Sequence, residues 1–244
     1  MMTSRIALVT GGSRGIGAAI CLSLAQDGFD VALTYASNEQ RAIETKDAIE
    51  AKGRRALVIR ADGARMADNR CAIEAVIEAF GRIDVLVCNA GRYPYGTIDH
   101  MSDDEIDSTL ALNLRAVMIE TAAAVPHMSK GGRLIYMGSA FGERAPLPGV
   151  SVYSATKAAL IGFARGVARD VGPRGITANV VQPGPIDTEL NPKNGDHADT
   201  LTAFVANGAF GETSDIAAAV SYLASEAAGY VNGTTLTVDG GLCA

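Results

Sequence analysis

Ile6-Ala7-Leu8-Val9-Thr10-Gly11-Gly12-Ser13-Arg14-Gly15-Ile16-Gly17 carries an apolar, strand-like run into a glycine turn and then into a helical pattern that reaches Asp27. Glycines let the backbone turn sharply and bring its N–H groups close to an anion, where a helix N-terminus adds favourable partial charge. A strand, a tight glycine turn and a helix in that order predict a phosphate-binding turn at the C-terminal edge of a sheet. A glycine turn that only joins strand to helix is the alternative. The spacing here is G-x-x-x-G-x-G, which departs from the commoner G-x-G-x-x-G.

Outward from this turn, short β-branched runs recur at Val31 to Tyr35, Ala56 to Ile59, Val85 to Cys88, Leu134 to Met137, Thr177 to Val181 and Thr235 to Val238. They read as buried strands. Helical patterns lie between them: Ile16 to Asp27, Asn38 to Lys52, Asp68 to Phe80, Ser102 to about Met128, and Val152 to Val171. Gly28, Gly53 and Gly81 sit where C-terminal caps belong, and Ser102 with Glu105 has capping-box spacing. Strands separated by helix-length segments predict an α/β fold: one doubly wound domain spanning 1–244, a parallel sheet with helices on both faces. The proline- and glycine-rich stretch from Pro183 to Gly211 breaks this rhythm, and a mobile lid is expected over about 185–211.

The composition narrows the function classes. The chain has 244 residues, 48% hydrophobic and 20% charged, with a net charge of −6, so no basic footprint exists for nucleic acid. Cys21, Cys71, Cys88 and Cys243 are widely spaced, as are His100, His127 and His197, which predicts neither a metal site nor a disulfide framework. The Ile6 to Val9 run is far too short for a secretory signal, and no apolar stretch reaches the roughly 20 residues of a membrane span. A cytoplasmic globular protein is expected, without nucleic-acid or membrane partners and with a small molecule as its ligand.

The second strand ends in Thr34-Tyr35-Ala36-Ser37-Asn38, with no acid until Glu39. A carboxylate at this point binds a ribose 2′-hydroxyl, whereas Ser37, Asn38 and the Arg14 charge suit a 2′-phosphate. NADPH is therefore expected over NADH; the alternative is an Arg14 that is simply solvated. Tyr153 and Lys157, at i and i+4, share one face of an alanine-rich helix. An ammonium near a phenol favours the phenolate and is expected to lower the tyrosine pKa, which makes Tyr153 a general acid toward a carbonyl oxygen. Ser139, just beyond the strand that ends at Met137, stands at the sheet edge where such folds bind ligands.

The run Thr10 to Gly17, Asn89-Ala90-Gly91, Asn113, Ser139, Tyr153-x-x-x-Lys157, Pro183-Gly184 and Val238-Asp239-Gly240-Gly241 together resemble the short-chain dehydrogenase/reductase family, in order and over essentially the whole chain. The resemblance implies a single-domain Rossmann fold whose seven parallel strands run in the order 3-2-1-4-5-6-7. It implies that Tyr153 donates the proton, Ser139 orients the carbonyl, Lys157 binds the nicotinamide ribose, and Asn113 holds a water in a proton relay. It places the cofactor against Gly11, Ser13, Arg14, Gly15, Ile16, Gly17, Tyr35, Ser37, Asn38, Asp62, Gly63, Asn89, Ala90, Gly91, Tyr153, Lys157, Pro183, Gly184, Ile186 and Thr188. Gly63 departs from the family's usual valine.

The histidines receive no role, and Tyr93, Tyr95, Phe141, Leu190 and Phe204 are proposed as pocket wall, with core packing the alternative for the last two. Lys130 and Arg174 stand where fatty-acid members of the family meet an acidic carrier, but a free ketone, ketoester or 3-oxoacyl compound is the expected carbonyl. The same residues serve an alcohol dehydrogenase working in the oxidative direction. Gly172 to Thr177, with Asn179 to Thr188, resembles a bacterial member of the family that binds cyclic di-GMP, which leaves a regulatory binding role as the second reading. Small residues Ala155, Ala159, Gly162 and Gly166 on one long helix fit the family's homotetramer.

Overall fold

A computed structural model describes residues 4–244. Seven strands, β1 (Ile6–Val9), β2 (Asp30–Tyr35), β3 (Ala56–Arg60), β4 (Val85–Cys88), β5 (Arg133–Met137), β6 (Thr177–Pro183) and β7 (Thr235–Val238), form one sheet in the order β3-β2-β1-β4-β5-β6-β7. Every neighbouring pair is parallel. Eight helices connect them: α1 (Gly15–Gln26), α2 (Glu39–Glu50), α3 (Met66–Phe80), α4 (Asp103–Leu110), α5 (Ala116–Ala124), α6 (Ser151–Val171), α7 (Ala198–Thr202) and α8 (Thr213–Ala224).

The strand period of two sends alternate side chains to opposite faces. Ala7 and Val9 of β1 pack with Ile20 and Leu24 of α1 and with Ile216 and Val220 of α8. Ile6 and Leu8 face the other way, toward Ile73 of α3, Val117 of α5 and Leu160 of α6. Both faces of the central strands are thus covered, which is why those strands read as continuous apolar runs rather than as alternating ones. Strand order reverses between β1 and β4, and the chain leaves both strands at the same edge, opening a crevice there.

The caps follow their chemistry. Asn38 accepts from the Arg41 N–H at 3.1 Å at the start of α2, and the Ser102–Glu105 capping box closes at 3.2 and 3.3 Å ahead of α4. Gly81 ends α3 at φ +78°, a conformation that costs a residue with a Cβ. The single helix expected from Ser102 to about Met128 is interrupted. Ala111–Arg115 forms a π-helical turn between α4 and α5, and Pro126 ends the run in a 3-10 turn over Val125–His127. Among the described residues no helix is long and apolar enough to cross a membrane.

Candidate active site

The crevice opens into a cavity of about 690 Å³ over the C-terminal ends of the strands. Its floor starts at the glycine turn. Gly15 has φ +53°, and a Cβ on Gly17 would lie 2.2 Å from the Gly11 carbonyl oxygen, so the loop closes only on glycine. Arg14, the residue preceding α1, is extended and offers no side-chain cap, and the first turn holds no acid. The first N–H groups of α1 therefore lack side-chain caps, beside a cavity lined by Gly15, Ile16 and Gly17.

Asn89, Ala90 and Gly91 line the next section. The Asn89 side chain is engaged in the fold itself, donating to the carbonyls of Thr10 at 2.9 Å and Gly11 at 3.2 Å. Thr10 Oγ1 in turn accepts from the N–H groups of Asn89 and Ala90 at 3.1 and 3.2 Å, stitching β4 to the glycine loop. At Gly63 the space that a side chain would take is filled by Leu112: a Cβ would meet Leu112 Cδ1 at 2.5 Å. Asp62 lines the wall and accepts from the Ala64 N–H at 3.0 Å. Below it, burial pushes the Glu120 carboxyl up to about 7 beside the Cys88 thiol, a feature of the cavity floor that the sequence reading did not single out.

At the mouth beside the glycine loop and the end of β2, Ser13, Arg14, Tyr35, Ser37, Asn38 and Arg41 share the wall. Burial and then the neighbouring Glu39 push the Tyr35 phenol up. Arg41 was not anticipated, although it stands one helical turn beyond the Asn38 cap. It and Arg14 both pair with Glu189, at 2.8 and 3.7 Å.

At the other end α6 presents Tyr153 and Lys157 together. Lys157 is 5% exposed; its Nζ donates to the Met137 carbonyl at 2.7 Å and lies 5.6 Å from the Tyr153 ring centre. Burial lowers its pKa to about 8. Burial raises the Tyr153 phenol, with Ser139 pulling the other way. The sequence expectation, a phenol lowered by its lysine, is not met: burial raises Tyr153, and the pull in the other direction comes from Ser139, while the Lys157 ammonium is turned to the Met137 carbonyl. A neutral phenol at pH 7 is a proton donor in waiting.

Ser139 Oγ accepts from the Phe141 N–H at 3.1 Å and keeps its own proton to donate. Asn113 is fully buried in the π-helical turn. Its side chain clamps Arg92, accepting from the Arg92 N–H and donating to the Arg92 carbonyl, both at 2.9 Å, and reaches Thr156 at 3.3 Å. Gly91 lies between the pair: a Cβ there would stand 3.4 Å from Asn113 Oδ1 and 3.6 Å from Lys157 Nζ. Pro183, Gly184, Ile186 and Thr188 complete this wall.

The outer pocket is aromatic. Tyr93 sits edge-on to Tyr153 with ring centres 4.8 Å apart, and Phe141 lies 6.5 Å from Tyr93. Tyr95 faces His197 at 5.4 Å, so a histidine left without a role lines the cavity; His100 and His127 do not. Leu190, 69% exposed, stands at the rim. Phe204 does not line the cavity: it packs with Ala140, Val205 and Leu242, and the Arg144 guanidinium lies over its ring at 5.9 Å. Arg174 donates to the carbonyls of Val125 and Met128 at 3.0 and 2.7 Å, which ties it into the fold, and neither it nor Lys130 reaches the cavity.

Residues 11–243 match the family model described as enoyl-(acyl carrier protein) reductase. The chain is 41% identical to the cyclic-di-GMP-binding biofilm dispersal mediator protein of Escherichia coli, over 98% of this chain and 97% of that one. It is 36% identical to 3-oxoacyl-(acyl-carrier-protein) reductase of Staphylococcus aureus, over 99% of each. A short-chain dehydrogenase from Burkholderia cenocepacia, solved in complex with NADP, superposes with a TM-score of 0.97 at 49% identity, covering 99% of this chain and 98% of the other.

Proposed function

Because this chain belongs to the short-chain dehydrogenase/reductase family, we propose that it is an NADPH-dependent carbonyl reductase acting on free, uncharged ketones and ketoesters that carry a flat apolar group. The observation that carries this reading is the placing of the Tyr153 phenol beside Lys157 and Ser139 at one end of a single cavity, where burial pushes its pKa up. The N-terminus of α1 suits the pyrophosphate, and Arg14, Ser37, Asn38 and Arg41, without an acid at the end of β2, suit a 2′-phosphate. When bound, the dihydronicotinamide supplies the hydride.

The chain's own residues supply the rest. Ser139 donates a hydrogen bond to the carbonyl oxygen and fixes the face presented. As the carbonyl carbon takes the hydride, Tyr153 gives its proton to that oxygen, so C=O becomes CH–OH and Tyr153 is left as phenolate. The Lys157 ammonium stabilises that phenolate and holds the nicotinamide ribose, while Asn113 positions a water through which Tyr153 is reprotonated. A phenol raised by burial favours this direction over oxidation, which starts from phenolate. Tyr93, Tyr95, Phe141 and His197 suit an aryl or other planar substituent. The decisive assay is NADPH oxidation over a panel of aryl, cyclic and β-keto ester substrates: turnover of none of them, in a protein that binds NADPH, overturns the reading.

The lid role of 185–211, action in the cytoplasm and a homotetramer belong to the same proposal. For the tetramer, Ala155, Gly162 and Gly166 leave an exposed small-residue face on α6, and nothing lies within 4 Å of a Cβ placed at either glycine. Light scattering that returns a monomer removes it. A second reading is favoured by the 41% identity to a cyclic-di-GMP-binding protein: the arginine-rich mouth would take that nucleotide. Calorimetry separates them, since tight cyclic di-GMP binding without ketone turnover supports the regulator.

A further inference from the structure

Three charged side chains from three separate segments meet at the adenosine-side mouth: Arg14 of the glycine loop, Arg41 of the first turn of α2, and Glu189 between β6 and α7. Glu189 Oε1 lies 2.8 Å from Arg41 Nη2 and Oε2 lies 3.7 Å from Arg14 Nη1, one carboxylate oxygen to each guanidinium. Among the described residues neither arginine has another ion-pair partner. All three line the cavity with Ser13, Ser37 and Asn38, so the carboxylate takes the ground on which these donors would meet a phosphate.

We propose that Glu189 is a stand-in for the nucleotide 2′-phosphate, a carboxylate that holds the Arg14–Arg41 clamp until that phosphate displaces it and that thereby tempers the site's preference for a 2′-phosphate. The proposal rests on the NADPH reading above. A 2′-phosphate carries nearly two negative charges and three acceptor oxygens, so it outcompetes one carboxylate for two arginines. A nucleotide with a bare 2′-hydroxyl has nothing to offer the clamp and leaves Glu189 in place. Displacement also has a consequence for the neighbouring chain. Thr188 rests against the glycine turn, with Cγ2 3.7 Å from the Cβ position of Gly15, while Asp187 is held by Lys193 at 3.0 Å. Freeing Glu189 removes the segment's ion pairs to the glycine loop and α2 and leaves the Thr188 contact and the internal Asp187–Lys193 pair in place.

The test is titration of the full-length wild type, Glu189→Gln and Glu189→Asp with adenosine 2′,5′-bisphosphate and adenosine 5′-monophosphate. The pairs are half exposed and individually weak, so Glu189→Gln is expected to tighten the bisphosphate about three- to tenfold and to change the monophosphate less than about twofold. Glu189→Asp, which keeps the charge, is expected to stay near wild type. Equal changes for both ligands, or weaker bisphosphate binding in Glu189→Gln, overturn the displacement and make Glu189 a strap over any nucleotide. If wild type itself does not prefer the bisphosphate, the NADPH reading fails and this proposal with it. A wild-type preference that Glu189→Gln leaves untouched sinks the proposal alone.

Discussion

The two ends of the cavity are built from different material. The end proposed for the nucleotide consists mainly of backbone: a glycine loop, an uncapped helix N-terminus and strand ends stitched together by Thr10 and Asn89. The end proposed for the carbonyl consists of side chains: a tyrosine–lysine pair on α6 and an aromatic wall drawn from separate loops. Backbone sites tolerate almost no change in shape but state their ligand class plainly. Side-chain sites state the reaction through a few atoms and leave the substrate to residues that loops rearrange freely.

Removing the proton donor breaks this division most sharply. Tyr153→Phe is expected to lower kcat by about 10²–10⁴-fold while NADPH affinity stays within a few-fold, since the phenol acts only at the carbonyl end. Stopped-flow turnover beside fluorescence titration of NADPH reads both; loss of cofactor binding would show that the ends are not separable. Gly17→Ala attacks the opposite end. A Cβ 2.2 Å from the Gly11 carbonyl must displace the loop, and each ~1.4 kcal/mol of lost binding is about tenfold in Kd. The expected outcome is NADPH affinity reduced at least about tenfold in a folded protein, checked by titration and circular dichroism.

The pH dependence belongs to the carbonyl end alone. Lys157 is lowered to about 8 by burial, so its ammonium is present below pH 8 and is lost as pH rises through that value, whereas Tyr153, raised by burial, stays protonated. For reduction, kcat/KM is expected to be level near neutrality and to fall above about pH 8 by up to about tenfold per unit. A profile flat to pH 10 would show that the charge on Lys157 does not matter.

The same contrast explains what was legible in the chain. The strand–turn–helix at Ile6 to Gly17 and the alternation of strands with helices carry the architecture, because backbone turns demand particular residue types locally. Tyr153 and Lys157 were legible because helical spacing brings them together without help from tertiary structure. The π-helical turn around Asn113 was not, since most positions from Ala111 to Ile119 are apolar and hide the phase shift that an inserted residue causes. Arg41 and His197 were missed because their roles arise from contacts with Glu189 and Tyr95 across the cavity, and the upward shift of Tyr153 because burial is a property of the fold rather than of its neighbour four residues on.

Within the aromatic wall the effects become small. Tyr93→Ala removes a ring that sits edge-on to Tyr153, and aromatic contacts of this kind contribute about 0.5–1.5 kcal/mol, so KM for an aryl ketone is expected to rise roughly two- to tenfold with NADPH affinity unchanged. An equal rise for a small aliphatic ketone would mean that Tyr93 positions Tyr153 rather than the substrate.

Phe204 provides the finest distinction. Its ring belongs to the same apolar cluster as Phe141, packed on Ala140, Val205 and Leu242, yet only Phe141 reaches the cavity. From sequence both were proposed for the wall, with core packing the equal alternative for Phe204, since an irregular segment shows which residues are apolar but not which way they face. Phe204→Leu keeps an apolar side chain at the partly buried site and is expected to cost about 1 kcal/mol of stability, read as a lower melting temperature. KM for every ketone should then stay within about twofold of wild type, because no cavity-lining atom is removed. If KM instead shifts with the size of the ketone, as expected for Phe141→Leu, the segment carrying Phe204 turns its ring into the pocket when substrate binds, and the aromatic wall is one residue larger than the cavity indicates.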